Sequence, residues 1–151
     1  MKDKFMMIAL EEAKKAFSLG EVPVGAVIVK NGKVISKAFN KREELQISTA
    51  HAEIIAIEEA CKVIGSWRLE DCDLYVTVLP CAMCAGAITN SRIRKLVYGT
   101  LEEKYGYGDI IENILTTHKS NHRVEVVGGI MEDDCSLLMK EFFQRLRKKN
   151  D

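Results

Sequence analysis

The sequence predicts an α/β fold, a three-layer α/β/α sandwich around a mixed five-stranded sheet. Three observations lead there. In "PVGAVIVKNGKVISKAF", Asn31 and Gly32 join two β-rich runs as a tight hairpin. Beyond the hairpin, short apolar strands alternate with helical patterns, which calls for parallel strands joined by crossover helices. The chain has 151 residues, 47% of them hydrophobic and 29% charged, enough for one full core. One domain spanning 1–151 is expected.

Each element follows from a local pattern. Residues 4–19 repeat apolar positions at helical spacing (Phe5, Ile8, Ala9, Ala13, Ala16, Phe17), and Gly20 stops them. After the hairpin, "NKREELQISTA" is a polar connection, and "HAEIIAIEEACKVIG" is a helix that ends at Gly65. "DLYVTV" is a buried strand, "CAMCAGAITNS" a helix and "KLVYG" another strand. The loop "TLEEKYGYG" leads to a short helix, "DIIENIL". "RVEVVGG" is the last strand, and residues 132–148 form a last helix with a basic end. No internal repeat or low-complexity linker interrupts the series.

Composition narrows the function classes. No segment approaches the roughly 20 apolar residues that a spanning helix needs. The opening "MKDKFMMIALEEAKKAFSLG" is charged every few positions and lacks the apolar block of a signal peptide, so a cytoplasmic location is expected. Five cysteines, an odd count, argue against a complete disulfide framework in such a compartment. Cys61 and Cys135 lie in helical patterns and are expected as small core residues. Cys72 precedes a strand and carries no assigned role. The 22 basic and 22 acidic residues cancel. A domain living by phosphate contacts would often be clearly basic. Any binding of nucleic acid must therefore rest on local patches, at residues 37–42, 92–95 and 145–149.

The stretch "TVLPCAMCAGAITN" carries the first chemical signal. Cys81 and Cys84 are three apart where a strand turns into a helix, so they share a face and can bind one metal. The helix N-terminus favours their thiolates. A redox C-x-x-C uses the same setting, which makes a third ligand the deciding feature. His51, at the start of the preceding helix in "TAHAEIIA", supplies one. Both helix N-termini can meet at one end of the sheet, where open α/β sheets bind ligands. Three nitrogen and sulfur ligands make a zinc site with one open position, the arrangement used in catalysis. Zinc can lower the pKa of a bound water from 15.7 to about 7. A carboxylate beside it can then take a proton and deliver one, and Glu53 stands two residues from His51. In a regular helix such residues face apart, so Glu53 reaches the metal only if both lie in an irregular first turn. A structural zinc remains open if Cys72 supplies its thiolate as a fourth ligand. His118 and His122 fall in a polar turn and are expected to be solvated.

His51-Ala52-Glu53 followed by Pro80-Cys81-Ala82-Met83-Cys84 is the H-x-E…P-C-x-x-C signature of zinc-dependent base deaminases. The resemblance is narrower than that superfamily. "GEVPVGAVIV", "STAHAEIIAIEEA", "SWRLEDCDLYVT", "PCAMCAGAI", "SRIRKLVYG", "NHRVEVVGGI" and "FFQRLRKK" resemble the bacterial tRNA-specific adenosine deaminases almost from end to end. The resemblance implies a cytidine deaminase-like fold and a homodimer with one Zn2+ per subunit. It implies hydrolytic conversion of the wobble adenosine of a tRNA anticodon to inosine. His51, Cys81 and Cys84 would hold the zinc, and Glu53 would shuttle protons between the attacking water and the departing amino group. Asn40 would recognise the nucleoside, while Val24 and Ala26 would line the base pocket. Lys104, Phe142, Phe143, Arg145 and Arg147 would face RNA. Read without the resemblance, Phe142 and Phe143 belong to an amphipathic helix, with at least one of them in the core.

Departures from the family pattern bear on substrate. Leu79 stands where the family usually has glutamate, immediately before the proline. In the loop, Glu102 falls at an aspartate position, Asp109 and Ile110 replace a Gly-Ser pair, and Tyr105 and Tyr107 enter. Deamination of a free nucleobase or nucleoside on the same fold is therefore an alternative, with the tyrosine-bearing loop as a lid. A non-catalytic zinc protein that only scaffolds RNA, or pairs with an active partner, is another. Such a protein would be expected to lose its proton shuttle, yet Glu53 is present.

Overall fold

The computed structural model describes residues 2–101, 108–117, 119 and 121–150. Its elements are α1 (Lys4–Ser18), β1 (Gly25–Lys30), β2 (Lys33–Phe39), α2 (Arg42–Leu45), α3 (Ala52–Ile64), β3 (Cys72–Val78), α4 (Ala82–Asn90), β4 (Lys95–Thr100), α5 (Gly108–Thr116), β5 (Glu125–Val127) and α6 (Glu132–Asn150). The strands form one five-stranded sheet in the order β2-β1-β3-β4-β5. β1 runs antiparallel to both its neighbours, while β3, β4 and β5 are mutually parallel. This is the mixed sheet that the hairpin and the later alternation predict.

Strand residues alternate between two cores, as a period of two requires. Ala26, Ile28, Leu74, Val76 and Leu96 face α3, α4 and α5 and pack on Ala56, Ala60, Ile88 and Leu115. Val27, Val29 and Val97 face the other way and pack on Met6, Ala9 and Leu10 of α1 and Cys135 of α6. Helices therefore cover both faces, giving the expected three layers. Gly25 is required by this packing, because a Cβ there would strike the Ala9 carbonyl of α1. The Asn31-Gly32 turn has positive φ at both residues, the geometry of a two-residue hairpin.

Helix ends match the local chemistry. Asp3 caps α1 by accepting from the Phe5 and Met6 N–H groups at 3.0 and 2.9 Å. Gly65 ends α3 in the left-handed region, φ 77°. Four details differ from the sequence expectation. The polar connection 40–50 contains the short helix α2. The last strand is shorter than "RVEVVGG", because the chain must pass close to the Tyr98 ring at Gly128 and turn at Gly129, φ 81°. His122 is no solvated residue: its Nε2 lies 2.7 Å from the Ile93 carbonyl and donates to it. Cys135 is buried as expected, whereas Cys61 is half-buried at the margin of the core. Among the described residues, no helix is long and apolar enough to cross a membrane.

Candidate metal centre

Two strand-to-helix junctions open at one edge of the sheet. β3 ends at Val78, and Leu79 and Pro80 lead directly to Cys81, the N-cap of α4. β2 ends at Phe39, and residues 40–50 lead to His51, the N-cap of α3. Because β2 and β3 both oppose β1, they point the same way and deliver both N-caps to the same place. His51 (φ −79°, ψ 151°) and Cys81 (φ −72°, ψ 175°) have extended backbones, and neither side chain caps its own helix. Both are free to turn toward each other.

They do so, and Cys84 joins them from the first turn of α4. His51 Nδ1 lies 3.7 Å from Cys81 Sγ and 3.6 Å from Cys84 Sγ. The three donor atoms all fall within 4.8 Å of one another. A zinc ion bonded at about 2.3 Å to sulfur and about 2.0–2.1 Å to nitrogen, across a tetrahedral angle, separates those atoms by about 3.6 Å. Both nitrogen–sulfur separations match that geometry. Cys72 is not part of it. It begins β3, and the seven-residue strand sets it about 20 Å from the edge where Cys81 lies. A structural site with Cys72 as a fourth ligand is thereby ruled out by geometry.

The electrostatics suit a cation. The hydrogen bond from Cys84 holds the Cys81 thiol down at about 4, with His51 adding to the effect. The bond to Cys81 raises His51, and the same pairing together with burial pushes Cys84 up. A thiolate, a thiol and an imidazole sharing protons at this distance can exchange them for a divalent ion. Glu53 is 3% exposed in the first turn of α3. Since His51 is an N-cap and not a helical residue, the helical rule that would separate the two does not apply. Burial lifts the Glu53 carboxyl to about 7, against the opposing pull of its own backbone, His51 and the Cys84 thiol beside it.

The other sequence candidates are placed less uniformly. Asn40 is buried, and its Oδ1 accepts from the Ala52 N–H at 2.7 Å, closing the connection onto the start of α3. Val24 stands partly buried at the same edge, where its carbonyl accepts from the Asn40 N–H at 3.2 Å. Ala26 has no exposed surface and belongs to the core beneath, so only Val24 of the pair offers surface to a ligand. Leu79 packs its side chain against the core, which accounts for an apolar residue there. Phe142 is the buried member of the aromatic pair and meets Phe17 edge-on at 6.2 Å. Phe143 is half-buried, and the Arg145 guanidinium lies over the Phe17 ring at 4.6 Å. Phe17 is in the last turn of α1, which runs into the start of β1, so this part of α6 shares the metal-bearing edge. Glu102, Lys104, Tyr105, Tyr107 and His118 lie outside the described residues.

Two further residues shape the edge. Thr77, 1% exposed, accepts from the Gly25 N–H at 3.1 Å and fixes β1 against β3 beside Val24. Arg42, in α2, is close enough for its charge to oppose protonation of His51. Neither is visible in the spacing of motifs, because both act through strand pairing and loop folding.

An open mixed α/β sheet with a His/Cys/Cys group at its edge and a buried carboxylate beside it defines a zinc-dependent hydrolytic deaminase. Comparison with known proteins agrees. Residues 1–147 match the MafB19-like deaminase family. The chain is 50% identical to the tRNA-specific adenosine deaminase of Bacillus subtilis (strain 168), covering 96% of this chain and 90% of that one. It is 49% identical to the enzyme of the same description from Aquifex aeolicus (strain VF5), covering 97% and 96%. A solved structure from work on A-to-I editing by tRNA:A34 deaminases at the wobble position superposes with a TM-score of 0.82 at 40% identity, covering 89% of this chain and 98% of that one. The chain belongs to the MafB19-like deaminase family, among the tRNA-specific adenosine deaminases.

Proposed function

We propose that this chain deaminates the wobble adenosine of a tRNA anticodon stem-loop to inosine. The observation that carries the chemistry is the His51/Cys81/Cys84 group, at 3.6–3.7 Å, with Glu53 buried against it. The relatives' descriptions support the substrate. When bound, zinc makes water nucleophilic near neutral pH. Water oxygen adds to C6 of the adenine, the bond from C6 to the exocyclic nitrogen breaks, and ammonia leaves. Glu53 takes one proton from the attacking water and passes it to ring N1, then carries the remaining hydroxyl proton to the departing nitrogen, so that C6 becomes a carbonyl as ammonia leaves. Its burial serves that exchange, since bulk water is kept from the carboxylate.

The base enters flipped out of its stack, as reaction at a base requires. Val24 borders it on the apolar side, with Ala26 supporting the floor from beneath. Asn40, its oxygen engaged by α3, presents its amide to the nucleoside. Phe143, Arg145 and Lys104 contact the flanking RNA. The chain acts in the cytoplasm as one domain and as a homodimer, the assembly that the resemblance implies.

The test is ammonia and inosine formation by the zinc-loaded protein. The substrates are an anticodon stem-loop with adenosine at the wobble position and a panel of free bases and nucleosides. Turnover of the stem-loop alone supports the proposal. Turnover of guanine, cytosine or a free nucleoside alone would overturn the tRNA assignment, and would give the Leu79 and 101–110 departures the role of rebuilding the pocket.

A further inference from the structure

A buried carboxylate outside the zinc chemistry holds the outer turn of the connection that leads to His51. Glu21, 2% exposed, lies in the turn between α1 and β1. Its Oε1 accepts from the Glu43 N–H at 3.0 Å and its Oε2 from the Glu44 N–H at 2.7 Å. These are the second and third residues of α2, whose own N-cap, Lys41, makes no side-chain hydrogen bond. A four-residue helix cannot sustain itself. Glu21 therefore supplies from 22 positions away the acceptors that the local sequence lacks.

α2 sits within the loop 41–50. The base of the loop is closed twice, by the Lys41 N–H on the Ala50 carbonyl at 3.0 Å and by the Ala52 N–H on Asn40 Oδ1 at 2.7 Å. Its outer turn is tied to the α1–β1 turn by the two bonds to Glu21. That turn exposes Leu45 and Ile47, each at 49%, where the chain approaches His51. Chain entry and exit are thus fixed independently of Glu21, whereas the outer rim depends on it.

We propose that Glu21 is a positioning residue for substrate: by capping α2 it holds loop 41–50 as a preset rim beside the zinc site. This rests on the reading of the site as an RNA adenosine deaminase. His51 is held separately by α3 and Asn40, so loosening the rim leaves the metal ligands in place. Loss of Glu21 raises KM for the stem-loop and spares zinc binding and kcat.

The experiment compares zinc-loaded, full-length wild type with Glu21→Gln and Glu21→Ala. The glutamine keeps one acceptor but turns a donor toward the other N–H, so it is the milder variant and remains informative if the alanine does not fold. Amide exchange at Glu43 and Glu44 is expected to quicken about tenfold or more, with β1 and β3 unchanged. Zinc per chain stays constant, KM rises about tenfold and kcat stays within about twofold. Unchanged exchange at Glu43 and Glu44, zinc lost in step with activity, or a fall in kcat at constant KM would each overturn the role. A wild type inactive on the stem-loop would contradict the proposed function instead. Normal wild-type turnover with an unchanged KM in both variants contradicts only the role of Glu21.

Discussion

The two junctions that build the metal centre reach it by different physical routes. From β3 to α4 the path is direct: Leu79 and Pro80 carry the strand into a helix whose cap is Cys81, and Cys84 follows one turn later. Strand register and helical periodicity alone fix both sulfurs. From β2 to α3 the chain takes residues 40–50, and His51 depends on a tertiary hydrogen bond from the Ala52 N–H to Asn40, while Glu21 holds only the outer turn. The first junction is specified by local sequence, the second by residues remote from the ligand. Half of a metal site can thus be rigid by inheritance from the sheet while the other half is set by the loop that reaches it.

The contrast orders the effects of mutation. Cys84→Ser removes a fully buried ligand at the direct junction, where nothing nearby can replace it. Zinc content is expected to fall to background and deamination by more than about a thousandfold, measured by metal analysis and inosine formation. Asn40→Ala acts at the other junction. It should lower zinc affinity about tenfold, as loss of an orienting contact does, and destabilise the fold by about 1 kcal/mol through the start of α3. Zinc competition and denaturant titration measure the two. Unchanged zinc affinity in that variant would mean Asn40 serves the substrate alone and the second junction is as self-sufficient as the first. The smallest effect belongs to α6. Arg145→Ala removes the phosphate contact proposed above and the stacking on Phe17, so the slope of log affinity for the stem-loop against log salt should drop by about 0.7. The accompanying loss of stability is about 0.5 kcal/mol.

The same contrast explains what could be read from the sequence. The Cys81/Cys84 spacing, the Asn31-Gly32 turn and the stop at Gly65 are local signals, and each folds as its pattern dictates. Alternation of strands and helices was enough for the three layers, because it reflects which faces must be buried. His51 and Glu53 were legible as a pair, although their convergence needed the extended backbone of His51, a detail no periodicity contains. Helix α2 was not legible. "NKREELQISTA" has no apolar stripe, and its helix exists through acceptors on Glu21. The resemblance assigns Ala26 to the pocket, whereas strand alternation puts it in the core beneath Val24. The partner of His122 is a backbone carbonyl 29 residues away, which no local pattern reveals.

What most directly tests the division of labour at this centre is zinc content and inosine formation measured side by side for Glu53→Gln. With His51, Cys81 and Cys84 as the ligands and Glu53 as the proton carrier, the variant keeps one zinc per chain and loses roughly a hundredfold to ten-thousandfold in turnover. Loss of zinc together with activity would make Glu53 a ligand, and undiminished turnover with zinc in place would remove it from the chemistry altogether.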